Sequence, residues 1–378
     1  MHWITQAALG ALIGELILGR RLGNRALAWG AFIGILPELD VLVFPLLDTA
    51  RKVAWHQGPS HSLWVIALGS YALAHGLAKI WRKDQISKAW AGGFVFTIGC
   101  VHLLADCLTA QGVPLLWPVS DSRVAFNYLN PFDLLFTGPL VVAVIWVAFL
   151  RDEKQKKSRT KSPLPSSKRR KLCHLGLALS LGYTLLAVGM SFIAAAGFDA
   201  DLARRGTKYE RRLQVPTAYN CLFWRAVVDC GDELWVGYRS VFESHDEPVR
   251  WTVYLKGTEA LDKVRELRET KTLLAHTDGW WIARPNAKGA WLGDLRFPES
   301  RTWGSKKGMV DSRLASSWVI HLNAERDRLL ESSPADEDPL DYLQRMTERI
   351  CGDSEAWEAN PRLAGVTGSL PEFLPVEE

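Results

Sequence analysis

The residues of this chain best suited to chemistry are histidines and carboxylates in its first 140 or so positions. "LPELD" supplies Glu38 and Asp40, "HQGPSHS" supplies His56 and His61, and "HLLAD" supplies His102 and Asp106. On a helix, the spacing of His102 and Asp106 puts an imidazole and a carboxylate on one face, where both can approach one ion. Pro37 removes a backbone donor and discourages continuous helix around it. In an extended or kinked stretch Glu38 and Asp40, two positions apart, point the same way. The Gly58-Pro59 turn can bend His56 and His61 back toward the other groups, with Ser60 or Ser62 capping the helix that follows. His2, Thr109 and Asp133 could add ligands, and Asp133 in "NPFDLL" is equally placed to cap the helix it precedes.

Histidine nitrogen with carboxylate oxygen suits zinc, manganese or iron better than calcium, which prefers all-oxygen sites. A zinc-like ion with an open position lowers the pKa of a bound water toward neutrality and supplies a nucleophile, so hydrolysis is the natural chemistry. The rival reading is a metal-free cluster in which the histidines and carboxylates satisfy one another. No GxSxG elbow, Walker A loop, GxGxxG fingerprint or HExxH helix is present, so serine hydrolase, NTPase, nucleotide-dependent oxidoreductase and zincin chemistry lose support. His75, His174, His245, His276 and His321 are scattered and are read as non-ligands.

These residues need elements to hold them, and the elements look membranous. The 378 residues average to a mean hydropathy of −0.01, but apolar residues crowd the first half and charges the second. Stretches of about 20 apolar residues can cross a bilayer, and six candidate runs occupy 3–19, 27–47, 62–80, 89–108, 132–150 and 172–198. Arg20, Arg21, Arg25, Arg82, Lys83, Lys88 and the basic, Ser/Pro-rich 151–171 all fall on one side of these runs, whereas 48–61 and 109–131 hold only Arg51, Lys52 and Arg123. The positive-inside rule makes the basic side cytoplasmic. The N-terminus, the polar groups and everything after 198 are then outside. A net charge of +4, concentrated in short blocks, argues against nucleic-acid binding.

After residue 198 the period changes. "NCLFWRAVVDCGDELWVGYRSVF", "VRWTVYLKG" and "GWWIARP" alternate apolar and polar residues around turn signals, predicting a β-rich soluble domain over 199–378. "DPLDYLQRMTERICG" predicts a late amphipathic helix, and the tail "VTGSLPEFLPVEE" an extended segment. Nine of the 17 tryptophans lie in this half, at strand spacing that suits core packing. Cys221 and Cys230 could bridge a hairpin in an oxidising compartment, although spacing alone does not establish it. The expected fold is thus an α-helical polytopic membrane domain (1–150), a basic cytoplasmic loop (151–171), a transmembrane helix (172–198) and a β-rich (α+β) soluble C-terminal domain.

The ordered set "TQAALGALIGELILGRRLGNRALAWGAFIGILPELD", "HQGPSHSL", "HLLADCLTAQGVPLLWP" and "SDSRVAFNYLNPFDLLFT" resembles the YdjM-like inner-membrane proteins, a family described as metal-dependent hydrolases. That family is distantly similar to the zinc-dependent phospholipase C and P1 nuclease group, which hydrolyses phosphate esters. The similarity implies ligand roles for Asp40, His56, His61, His102 and Asp106; Glu38 is read beside them as a base or additional ligand. Glu38 stands where the family usually has Asp, which lengthens its reach. Gln57 stands where it usually has Arg, which removes a phosphate clamp. The resemblance implies a bacterial inner-membrane hydrolase using a divalent ion, zinc first, on an ester at an outward-facing site. Membrane lipids are its expected surroundings and a lipid or lipid-linked phosphoester its expected substrate. A non-catalytic protein whose soluble domain binds a partner, and a metal or proton transporter, are the competing classes.

Overall fold

The computed structural model describes residues 1–150, 167–303, 310–323, 329–331, 339–357, 361–363 and 372–373. Most of the expected basic loop, residues 151–166, and all but two residues of the tail lie outside them. The chain divides into two compact units: Met1–Val43 with Trp55–Ala187 and Ala218–Asn220, and Phe44–Ala54 with Val188–Thr217 and Cys221–Glu378.

The helices follow in order as α1 (Trp3–Leu22), α2 (Asn24–Ile35), α3 (Thr49–Trp55), α4 (Leu63–Ile80), α5 (Lys88–Cys107), α6 (Leu134–Phe149) and α7 (Ser167–Arg204). Asn24–Leu46, Leu63–Ile80, Lys88–Cys107 and Lys168–Arg204 are long and apolar enough to cross a membrane. Two of the six expected runs differ from that pattern. α6 is apolar but only 16 residues long, about 24 Å against a hydrocarbon core of about 30 Å. α1 carries Glu15, Arg20 and Arg21 and packs against α2, α5 and α6, burying Leu9, Leu12, Leu18 and Leu22 among others.

Small residues bring α1 and α2 into near backbone contact. A Cβ on Gly10 would stand 2.2 Å from the Gly30 carbonyl oxygen, and one on Gly34 2.4 Å from that of Gln6. Glycines four apart on each helix, Gly10 and Gly14 facing Gly30 and Gly34, let the two backbones close on one another. Farther along, Leu18, Leu22, Ala26, Leu77, Trp81, Phe94 and Ile98 form the apolar core at the basic end of this unit.

The second unit is α+β, as its period predicted. Its strands are β1 (Arg211–Pro216), β2 (Phe223–Asp229), β3 (Glu233–Ser240), β4 (Trp251–Leu255), β5 (Trp281–Asn286) and β6 (Gly289–Asp294). They continue as β7 (Glu299–Trp303), β8 (Val310–Leu314), β9 (Ser317–His321), β10 (Leu329–Glu331), β11 (Pro361–Leu363) and β12 (Glu372–Phe373). The sheets run β1-β2-β3-β4-β12, β10-β9-β6-β5 and β11-β8-β7, antiparallel except for the β11–β8 pair. β2 and β3 form the expected hairpin, turning at Gly231 with φ +90°. The late helix (Pro339–Ile350) buries Tyr342, Met346 and Arg349 along one stripe. Trp224, Trp251, Trp280, Trp281, Trp291, Trp318 and Trp357 are buried, as core aromatics should be.

Two features of this unit were not anticipated. α3, expected in a plain connection, contributes Ala50 and Val53 to a core with Leu261, Leu273, Trp281 and Ile320. Cys221 and Cys230 flank the same extended strand, β2, with free thiols. A strand rise of about 3.3 Å per residue holds them some 25–30 Å apart, far beyond the reach of a disulfide within one chain.

Candidate metal centre

α2 ends at Ile35, one residue before Leu36-Pro37, and the chain continues as a 3-10 helix over Leu36–Leu46. That geometry changes the expectation for "LPELD". With three residues per turn, side chains two apart diverge by about 120° and do not align. Glu38 and Asp40 accordingly serve different groups.

Glu38 joins His61, His102 and Asp106, whose ligand atoms all lie within 4.8 Å of one another. His102 Nε2 is 3.1 Å from His61 Nε2, 3.1 Å from Asp106 Oδ2 and 4.0 Å from Glu38 Oε1, and His61 Nε2 is 3.5 Å from Asp106 Oδ2. His61, His102 and Asp106 are fully buried, while the Glu38 side chain remains 17% exposed. Their positions follow from local structure. His102 and Asp106 lie one turn apart on α5, as the spacing predicted. His61 closes a short 3-10 turn opened by Pro59, and Ser62 then caps α4 by accepting from Val65 N.

The hydrogen bonds around the group determine where its protons sit. His102 Nδ1 donates to the Gly34 carbonyl at 2.7 Å, because a carbonyl can only accept. In the neutral ring Nε2 then presents a lone pair to the group. Ser60 Oγ lies 2.9 Å from His61 Nδ1 and 3.4 Å from Asp40 Oδ2. When Ser60 accepts from Nδ1, His61 Nε2 is a lone pair; when Ser60 donates to Nδ1, Nε2 carries the proton and shares it with His102 Nε2. Burial, with His102 beside it, pushes the His61 imidazole down to about 3, so it is neutral at ordinary pH. Asp106 Oδ1 accepts from Gln6 Nε2 at 2.9 Å and from the Met1 amino group at 2.5 Å. Its other oxygen, Oδ2, is buried without a hydrogen-bond donor, as is Glu38 Oε1, among the described residues.

Two imidazole nitrogens and two carboxylate oxygens thus converge on one point. Two carboxylates at such a separation repel by at least about 3 kcal/mol at an effective dielectric near 20. A tetrahedral ion with bonds of about 2.0–2.2 Å keeps its donors about 3.3–3.6 Å apart; the separations of 3.1–3.5 Å among His61, His102 and Asp106 come within a few tenths of that, and Glu38 at 4.0 Å is slightly loose. The residues present fit a divalent ion with three close ligands and one adaptable one.

The other expected residues flank this group. Asp40 Oδ1 faces His56 Nδ1 at 3.4 Å, and Asp40 Oδ2 accepts from Gln57 N at 2.8 Å. Gln57 adopts φ +49°, a left-handed kink that turns its amide onto Asp40. Arg123 donates to the Gln57 carbonyl and to those of Gln111 and Gly112, tying the later connection to this turn. Thr109 donates to the Asp106 carbonyl, and His2 caps α1 by accepting from Ile4 N. Asp133 caps α6 through Leu135 N and Phe136 N and accepts from Tyr183 Oη. Gln6, Ser60 and the Gly34 carbonyl, which orient the ligands, were not read from the sequence as part of the site. Ser60 lay beside a recognised motif, whereas nothing near Gln6 or Gly34 marked them.

An apolar helical unit with a buried His/carboxylate group at one end defines a membrane protein with a group able to hold a metal ion. The chain belongs to the YdjM inner membrane protein family, whose model matches residues 1–197. No curated protein and no solved structure matches it.

Proposed function

We propose that this protein is a membrane-embedded metal-dependent hydrolase whose site is the Glu38, His61, His102 and Asp106 group. The observation that carries the reading is the convergence of four possible ligand atoms, two of them buried carboxylate oxygens without donors among the described residues. His61, His102 and Asp106 would hold the ion and Glu38 would complete or edge the site. A zinc-like ion there would polarise an ester oxygen and bring a water's pKa toward neutrality. Glu38, the loosest and most exposed of the four, is placed to take the proton of an attacking water. Gln6 and Ser60 keep Asp106 and His61 aimed, and the buried surroundings exclude bulk water. His56 and Asp40, at the edge of the group, are available as additional ligands or as contacts to substrate.

The basic residues gather at the opposite ends of the helices, which supports an outward-facing site under the positive-inside rule. The basic block 151–171 leads into α7, whose apolar stretch is long enough to cross outward, which supports an extracytoplasmic C-terminal unit. A site opening within a membrane unit favours a lipid or lipid-linked ester, phosphoester first.

The test is metal analysis of the purified protein together with a hydrolysis screen against phospholipids and generic phosphodiesters. Near-stoichiometric metal and cleavage, both lost in His102→Ala, are expected. Sub-stoichiometric metal that is unchanged in His61→Ala and His102→Ala would sink the reading. A C-terminal reporter active only in the cytoplasm would overturn the orientation.

A further inference from the structure

A groove of about 340 Å³ runs along α2, lined by Arg25, Ala28, Trp29 and Phe32. These positions follow i, i+3, i+4 and i+7 and form a single stripe on the helix. The exposed methyl of Ala28 leaves a notch between larger side chains. Trp29 and Phe32 meet edge to face at 6.0 Å, and Trp29 is propped edge-on at 5.5 Å against the fully buried Trp81. The walls of the groove are therefore held by the core behind them.

One end of this apolar groove is cationic. Arg25 Nη1 pairs with Asp84 at 3.2 Å and Arg21 Nη1 donates to the Gln85 carbonyl at 2.7 Å. Asp84 and Gln85 are consecutive, so both guanidinium groups stand over one turn, which also carries Arg82 and Lys83. The two arginines and this turn together bring four basic side chains and one carboxylate. The groove belongs to a membrane-spanning stretch, Asn24–Leu46, so its surroundings are acyl chains along its length and headgroups at its charged end.

We propose that this groove is a binding site for one anionic phospholipid, with the phosphate between Arg21 and Arg25 and one acyl chain lying over Ala28 between Trp29 and Phe32. Arginine suits the task because its planar donors grip a phosphate in pairs. Charge complementarity selects an anionic headgroup over a zwitterionic one. The site is separate from the metal centre. Its charged end lies toward the far end of α1, a 20-residue helix about 30 Å long that begins beside Asp106, and its apolar end stops at Phe32, two residues before Gly34.

The full-length protein in detergent, titrated with phosphatidylglycerol, phosphatidylcholine or glycerol phosphate and read by native mass spectrometry, tests the proposal. The wild type is expected to hold one phosphatidylglycerol at least tenfold more tightly than phosphatidylcholine, and glycerol phosphate should not displace it. Arg21→Gln with Arg25→Gln should erase the headgroup preference while leaving weak chain binding. Ala28→Trp, which fills an exposed notch, should weaken both lipids about tenfold. Equal affinity for the two lipids in the wild type, which needs no variant to fold, would overturn the proposal. So would displacement by glycerol phosphate, or undiminished binding in a folded Ala28→Trp protein.

Discussion

Two polar clusters are buried in the first unit, and their hydrogen-bond balance is opposite. In one, Arg169 donates to both carboxylate oxygens of Glu15 at 2.7 and 2.8 Å, to Asn24 Oδ1 at 2.7 Å and to the Leu150 carbonyl at 3.2 Å. Charge meets charge and donor meets acceptor, so the cluster is closed and fastens α1, α2 and α7 together. In the other, Glu38, His61, His102 and Asp106 gather four metal-ligand atoms, two of them carboxylate oxygens without a hydrogen-bond donor among the described residues. Both clusters are ionisable and buried in an apolar helical unit. What separates a staple from a ligand-demanding site is the count of protons available to the facing atoms.

The contrast can be broken by experiment. The largest effect is expected from Glu15→Ala, which strands a buried guanidinium and should cost about 3–5 kcal/mol in unfolding measurements in detergent. Glu15→Leu with Arg169→Met should recover much of that loss. Metal content per folded molecule should not change in either variant, and its loss would show that the two clusters are not independent.

Next in size is metal removal. A chelator should lower the stability of the wild type by about 2.7 kcal/mol relative to protein held at a hundredfold excess over Kd. His102→Ala should show no chelator dependence, and without metal it should be no less stable than the wild type by more than a cavity's cost, because one of the crowded acceptors is gone. Gln6→Leu removes a donor to Asp106 and should weaken metal affinity about ten- to a hundredfold by titration while the fold persists. The smallest effect belongs to Ser62→Ala. Loss of the α4 cap should cost about 1 kcal/mol and leave metal affinity within a fewfold of wild type.

Much of the site was legible because its signals are local. Four-residue spacing put His102 and Asp106 on one face, and a Gly-Pro turn announced the bend that delivers His61. The parting of Glu38 from Asp40 was not legible, since it depends on the chain taking three residues per turn after Pro37. Gln6 and Gly34 were invisible for another reason: each acts across packed helices, on partners 96–100 and 68 residues away. Glu15 and Arg169 meet across 154 residues, and neither stood out from its surroundings, one in an apolar run and the other in a basic block.

The second unit divides the same way. Alternation marked the β2–β3 hairpin, and helical periodicity marked the late amphipathic helix, because both bury one face of a single element. The assignment of residues 44–54 to this unit's core, and the separation of Cys221 from Cys230 along one strand, depend on what packs against what. By itself the sequence determined the apolar runs, their charge asymmetry and the ligand-type residues, all consequences of residue chemistry at short range. Tertiary structure alone decided which acceptors share a centre and which donors are spent elsewhere, because a proton balance exists only after distant groups have been brought within hydrogen-bonding distance.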